Sequence, residues 1–222
     1  MKNAWVLALA LATTPLAANA GELGYTYAEL GWQQTDIDGF DTADGPALNA
    51  SVALGERFHL FGGYARQDAQ ADLFVPELGE AVELQLDTDV YRIGLGWNHA
   101  LTERADLVLR GAYERTHLDL GVAGFDEVVD GKGDGWSAEA GVRGLLAERF
   151  EGWAALGYAD ATSFNVAGET VGTDEGQDDE VYGRLGAQFM WNANWGVVGE
   201  ARLADDAHQL FLGVRGTFDD WN

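Results

Sequence analysis

Four short turns recur along the chain at nearly equal intervals, each between stretches whose side chains alternate in polarity. They are Gly55-Glu56-Arg57, Thr102-Glu103-Arg104, Ala147-Glu148-Arg149 and Asn192-Ala193-Asn194, with middle residues 47, 45 and 45 positions apart. The first three follow a leucine, and a tyrosine returns in the run after each: Tyr64, Tyr113 and Tyr158. The repeating unit is therefore strand, tight turn, strand, long loop. Strands joined by tight turns pair antiparallel, so this repeat restricts the chain to an up-and-down antiparallel sheet.

Ten runs carry the period-two pattern: residues 24–34, 45–54, 58–68, 87–100, 105–116, 134–146, 150–160, 180–191, 195–204 and 208–218. In the last of these Leu210, Leu212, Val214 and Phe218 share one face, and Gln209, Gly213, Arg215 and Thr217 share the other. Most runs have the roughly 9–11 residues a tilted strand needs to cross a bilayer. The expected fold is all-β, a closed antiparallel up-and-down transmembrane barrel of ten strands. Eight is the alternative, if residues 150–160 or 195–218 merge with their neighbours. Four tight turns then lie on the side of the termini and five loops on the other: 35–44, 69–86, 117–133, 161–179 and 205–207.

Alternation alone does not separate a membrane barrel from a soluble sandwich, but three further features do. The polar face carries ionisable groups in mid-strand: Glu29, Arg92, Arg110, Glu114, Glu139, Arg143, Arg184, Glu200, Arg202 and Arg215. A sandwich core does not bury such a face, whereas a barrel lumen accommodates it when the charges pair. Aromatics gather at both ends of the apolar face: Trp97, Trp191 and Trp195 beside the turns, and Tyr64, Tyr91, Tyr113, Trp136 and Tyr158 near the loops. The charge is also sorted. The chain has a formal net charge of −24. Of its 37 Asp and Glu, 25 fall in residues 35–44, 68–89, 117–134, 160–180 and 205–206, which hold a single cation, Lys132. The negative charge thus belongs to one rim. Such a rim argues against a nucleic-acid partner, which requires basic surface.

The N-terminus reads as a secretory signal peptide over residues 1–20. Lys2 supplies the positive region, Ala4 to Ala12 the apolar region, and Ala18-Asn19-Ala20 the cleavage site. The domain expected to fold is 21–222. The chain has no cysteine, which rules out disulfides and thiolate metal sites. Leu210, Leu212, Val214, Gly216 and Phe218 form an outward row ending in an aromatic. It resembles the C-terminal signal read by the outer-membrane assembly machinery, although Asp219 to Asn222 follow it.

Several strings resemble a family of small outer-membrane barrels of xanthomonads and related proteobacteria, once described as activators of plant immunity, within the broader OmpA/OmpX-like group. They are Tyr25-Thr-Tyr-Ala-Glu29, Phe58-His-Leu-Phe-Gly-Gly-Tyr64, Ala138-Glu-Ala-Gly-Val-Arg-Gly144 and Asn192-Ala-Asn-Trp-Gly-Val197. The resemblance implies an outer-membrane or vesicle location in a Gram-negative bacterium, and it does not imply a catalytic site.

The expected role is structural or cell-surface interaction through acidic external loops, by a monomer in contact with outer-membrane lipid and lipopolysaccharide. No cofactor is expected. Divalent cations at the rim are the one metal reading, with Asp36, Asp38, Asp41 and Asp44, and the stretch Glu169 to Glu180, as candidate ligands. A narrow porin-like channel is one alternative, although Arg and Glu side chains would fill a ten-stranded lumen. A rim protease of the omptin type is another, built on Asp87-Thr-Asp89 and Asp206-Ala-His208. Three serines (Ser51, Ser137, Ser163) and four histidines (His59, His99, His117, His208) follow residue 20, with no evident Ser–His pair, and the histidines read as interface or rim residues.

Overall fold

The structure is a computed structural model, and it describes residues 23–37, 42–75, 80–122, 128–166, 169–171, 179–205 and 207–218. The signal-peptide stretch, Asp38, Asp41, Asp206 and residues 219–222 lie outside these. Among the described residues every regular element is a strand: β1 (Tyr27–Ile37), β2 (Ala43–Leu54), β3 (Phe58–Val75), β4 (Glu80–Thr102), β5 (Ala105–Val122), β6 (Val128–Ala147), β7 (Phe150–Val166), β8 (Glu169–Val171), β9 (Asp179–Met190), β10 (Trp195–Leu203) and β11 (Ala207–Thr217). Each strand pairs antiparallel with its sequence neighbour, except that β7 pairs directly with β9, and β8 folds back on the far end of β7 alone. The sheet closes where β1 meets β11, from Tyr27 opposite Thr217 to Ile37 opposite Ala207. The result is a closed ten-stranded barrel with β8 as a short appendage. Residues 150–160 and 195–218 both supply real strands, so the eight-stranded alternative falls.

The turns close by local chemistry. Gly55 has φ of +76°, a conformation that a Cβ disfavours. In the fourth turn the Asn192 side-chain oxygen accepts from the backbone N–H groups of Asn194 (2.9 Å) and Trp195 (2.8 Å).

The barrel is apolar outside and polar inside. Leu30, Leu48, Leu60, Ile93, Leu109, Val142, Leu156, Leu185, Val197 and Leu212, one from each barrel strand, are all exposed, Leu212 by 65%. Its buried side chains include Glu29, Ser51, His59, Gln67, Arg143, Glu151, Gln188 and Arg215. In water this would expose a broad apolar surface. In a bilayer it matches each face to its surroundings.

The wall is uneven. Strands β3 to β7 have 18, 23, 18, 20 and 17 residues, whereas β9, β10, β11, β1 and β2 have 12, 9, 11, 11 and 12. A bilayer takes about 9–11 residues per strand, so more than half of the 23 residues of β4 stand clear of the membrane. This corrects the loops expected at 69–86 and 117–133, most of which are strand. Polar residues signalled loops there, yet the alternation continues through them with its polarity reversed.

Candidate functional site: the filled lumen and the outer wall

All ten charged residues on the polar face point into the lumen, where further groups join them. Arg215 donates Nε to Glu29 (2.6 Å) and Nη1 to Gln188 (2.7 Å), and lies 3.7 Å from Glu151. Arg143 is held bidentately by Glu151 at 2.5 and 3.1 Å. Arg184 spans two carboxylates, donating Nη1 to Glu139 and Nη2 to Glu200, each at 2.8 Å. Arg92 pairs with Glu114 at 3.1 Å and Arg202 with Glu180 at 3.0 Å. Arg110 meets no carboxylate among the described residues. Its Nε donates to His59 Nε2 at 3.4 Å, which requires that nitrogen to be the acceptor.

Aromatic rings interleave with these arginines. The guanidinium of Arg202 lies 3.8 Å from the Tyr182 ring centre, that of Arg215 4.2 Å from Tyr27 and 4.9 Å from Trp153, and that of Arg143 4.6 Å from Tyr25. The rings fit because glycines face them across the strand pairs: Gly157 opposite Tyr182, Gly186 opposite Trp153, Gly94 opposite Phe61 and Gly96 opposite His59. A Cβ at any of the four would strike the facing ring. Tyr182 and Trp153 also donate to Glu139 (2.9 Å) and Glu200 (2.8 Å). Glu151, Gln188, Glu180, Tyr182, Trp153 and His59 were not among the sequence candidates. All six occupy inward positions of their strands, so the alternation was a signal available for each. His59, expected at an interface, is fully buried in the lumen.

Two small cavities lie among these side chains. One, of about 60 Å³, lies among Gln33, Asn49, Arg92, Glu200, Arg202 and Phe211. The other, of about 40 Å³, lies among Tyr27, Arg110, Glu139, Arg143, Arg184 and Arg215. Each has room for a few water-sized groups, and the Arg184–Glu200 ion pair contributes Arg184 to one lining and Glu200 to the other.

Outside, at the far interface, aromatic side chains donate to aspartates on the neighbouring strand. Trp32 reaches Asp44 (2.7 Å), Tyr64 reaches Asp89 (2.5 Å), Tyr113 reaches Asp134 (2.5 Å) and Trp136 reaches Asp160 (2.9 Å). Each ring thus sits against the apolar belt with its polar tip anchored to a charged group on the solvent side.

Beyond this girdle, Asp44, Asp68, Asp87, Asp119 and Asp130 stand directly opposite one another on β2 to β6, in one outward row. The neighbouring row toward the membrane carries Arg66, Asp89, His117 and Lys132. The mutual hydrogen bond of Asp68 and Asp87 raises the Asp68 pKa, and that of Asp119 and Asp130 raises that of Asp119.

The residues weighed for catalysis are not gathered. Asp87 and Asp89 share the outward face of β4 with Tyr91, and His208 shares the outward face of β11 with Leu210. Strands β3, β2 and β1 lie between. Asp206 is outside the described residues. Ser137 donates to Glu114 (2.8 Å), and His99 stacks on Trp97 with centroids 5.6 Å apart. Asp36 lies on β1 and Asp44 on β2, the latter bonded to Trp32. Among the described residues no group of three His, Cys, Asp or Glu side chains is arranged to hold a metal.

No family model matches the chain, and no curated protein does. Solved structures do. The translocator domain of the autotransporter NalP from Neisseria meningitidis is 13% identical, with 88% of this chain and 89% of that one covered and a TM-score of 0.57. An outer-membrane channel from Pseudomonas putida F1 is 11% identical, with 93% and 100% covered and a TM-score of 0.50. At such identities the likeness is one of fold. The closed antiparallel sheet, its outward apolar belt and its paired girdles make this chain an integral outer-membrane β-barrel of a Gram-negative bacterium. OprG from Pseudomonas aeruginosa is also similar, at 11% identity, with 89% of this chain and 97% of that one covered and a TM-score of 0.49.

Proposed function

We propose that the protein is a non-catalytic surface barrel with a closed lumen, which works through the wall that β3 to β7 raise outside the membrane. The observation that carries this reading is the packed Arg–Glu–aromatic layer inside the barrel, with Arg184 tied to both Glu139 and Glu200. Its salt bridges cross-link strands, and the two cavities beside Arg184 and Glu200 are small. What distinguishes the chain from a plain barrel is then the acidic outer wall, suited to cell-surface contact and to the lipopolysaccharide leaflet around it. The strings that resemble the xanthomonad family support placing it with those small surface barrels, as a monomer. The exposed row Leu210, Leu212, Val214 and Phe218 on and just after β11 supports recognition by the barrel assembly machinery.

Purified barrel in planar bilayers tests the closed lumen. The expected result is no steady unit conductance, and regular unit steps would overturn the reading. A narrow channel is the second reading, favoured by the two cavities on either side of one ion pair, and the same recording decides between them.

A further inference from the structure

The lumen arginines differ in what they hold. Arg92, Arg143, Arg184, Arg202 and Arg215 each have a carboxylate at ion-pair distance. Arg110 has none among the described residues, only the His59 ring and the face of Phe61 at 5.0 Å. It shares the cavity of about 40 Å³ with Arg143, Arg184 and Arg215, and Glu139 is the one carboxylate in that lining. The oxygens of Glu139 already accept from Tyr182 and Arg184. Two donors of this group, Arg143 Nη1 and Arg184 Nε, are buried with no acceptor among the described residues. The Arg143 side chain is only 8% exposed.

Charged donors left without an acceptor in a buried site are costly, and Arg110 is the one guanidinium of the four whose charge no carboxylate meets at ion-pair distance, Arg143, Arg184 and Arg215 being paired with Glu151, Glu139, Glu200 and Glu29. One negative charge among them relieves both costs. We infer that this cavity binds a single monatomic anion of the halide class, held by the N–H groups of Arg110, Arg143 and Arg184 in the field of Arg215. A volume of about 40 Å³ suits one such ion. The four arginines come from β5, β6, β9 and β11, so the bound ion would tie together strands from across the barrel. Water also satisfies orphan N–H groups but brings no charge to Arg110. That difference makes the inference testable.

The inference rests on the closed-lumen reading, yet it fails separately. The test uses the full barrel refolded in detergent micelles, unfolded by urea in sodium chloride, sodium bromide or sodium gluconate at equal ionic strength. Gluconate is too large for the cavity. Chloride and bromide are expected to raise the urea midpoint over gluconate by roughly 0.5–1 M, and Arg110→Gln to remove that difference. The wild-type protein is also expected to broaden the chloride-35 NMR line, with bromide competing the broadening away. This second measurement decides the matter if Arg110→Gln does not fold. Equal midpoints without excess line width would overturn the inference and leave water as the occupant. Unit conductance alongside halide binding would refute closure while leaving the site in place.

Discussion

Arg184 shows how a single side chain sets the state of the lumen. Its two N–H groups fasten carboxylates from β6 and β10, Glu139 and Glu200. Removing one partner of a buried ion pair leaves the other charge uncompensated, at a cost of about 3–5 kcal/mol in a dry interior. Cavities beside Arg184 with room for water lower that figure. Arg184→Ala is expected to cost about 2–4 kcal/mol, read from the urea midpoint, and to join the two cavities so that single-channel steps appear in bilayers. A destabilised but silent barrel would show that Arg184 is not what divides them. Packing acts at the same scale. Gly157→Val would push the Tyr182 ring off Glu139, with an expected loss of about 1–3 kcal/mol. The double variant with Tyr182→Ala should recover part of the overpacking loss, and its failure to do so would place the strain elsewhere.

At the scale of the strand, β2 to β6 carry five aspartates in one row, where like charges directly opposite weaken a sheet. Arg66 and Lys132 in the next row offset this incompletely, with Asp89 and His117 beside them. The Asp68 and Asp119 carboxyls have raised pKa values, so the folded wall binds protons more readily than the unfolded one. Linkage then fixes the sign. The stabilising contribution is fully present below the ordinary aspartate pKa and is lost as pH rises through the raised, folded-state values. Amide exchange in the outer parts of β3 to β6, corrected for intrinsic rate, is therefore expected to be slower near pH 4 than at pH 7.5. Asp87→Asn with Asp119→Asn should flatten that dependence. Unchanged pH dependence in the double variant would remove the row as its source.

The whole molecule is a barrel with one tall side. Because the hydrocarbon layer takes only about 9–11 residues of any strand, the extra length of β3 to β7 must stand on the side of the acidic rim. The absence of cysteine allows a clean check of orientation. On intact cells, Asp119→Cys is expected to react with a membrane-impermeant maleimide, and Glu148→Cys, in a tight turn, only after the outer membrane is breached. The reverse pattern would invert the topology. Residues 69–75, 80–86 and 117–122 read as loop because polar residues cluster there, yet Leu84, Leu86, Leu118 and Leu120 keep strict alternation with Gln85, Asp87, Asp119 and Gly121. The wall outside the membrane faces water on its outer surface, so the polar set moves outward and the period survives with its sign reversed. A reading that takes apolar residues as outward throughout misses this.

By itself the sequence determined the strand period, the four tight turns, the sorting of charge to one rim and the inward face on which Arg and Glu alternate with small residues. All of these are local, set by side-chain parity along a strand and by turn chemistry. Only the tertiary structure decided which charges meet. Arg215 and Glu29 are 186 residues apart and face one another because β1 closes on β11. Arg184 reaches both Glu139 and Glu200 because the strand stagger brings β6 and β10 to its level. Pairing partners, and the arginine left without a carboxylate, follow from closure and stagger, which are properties of the whole ring of strands.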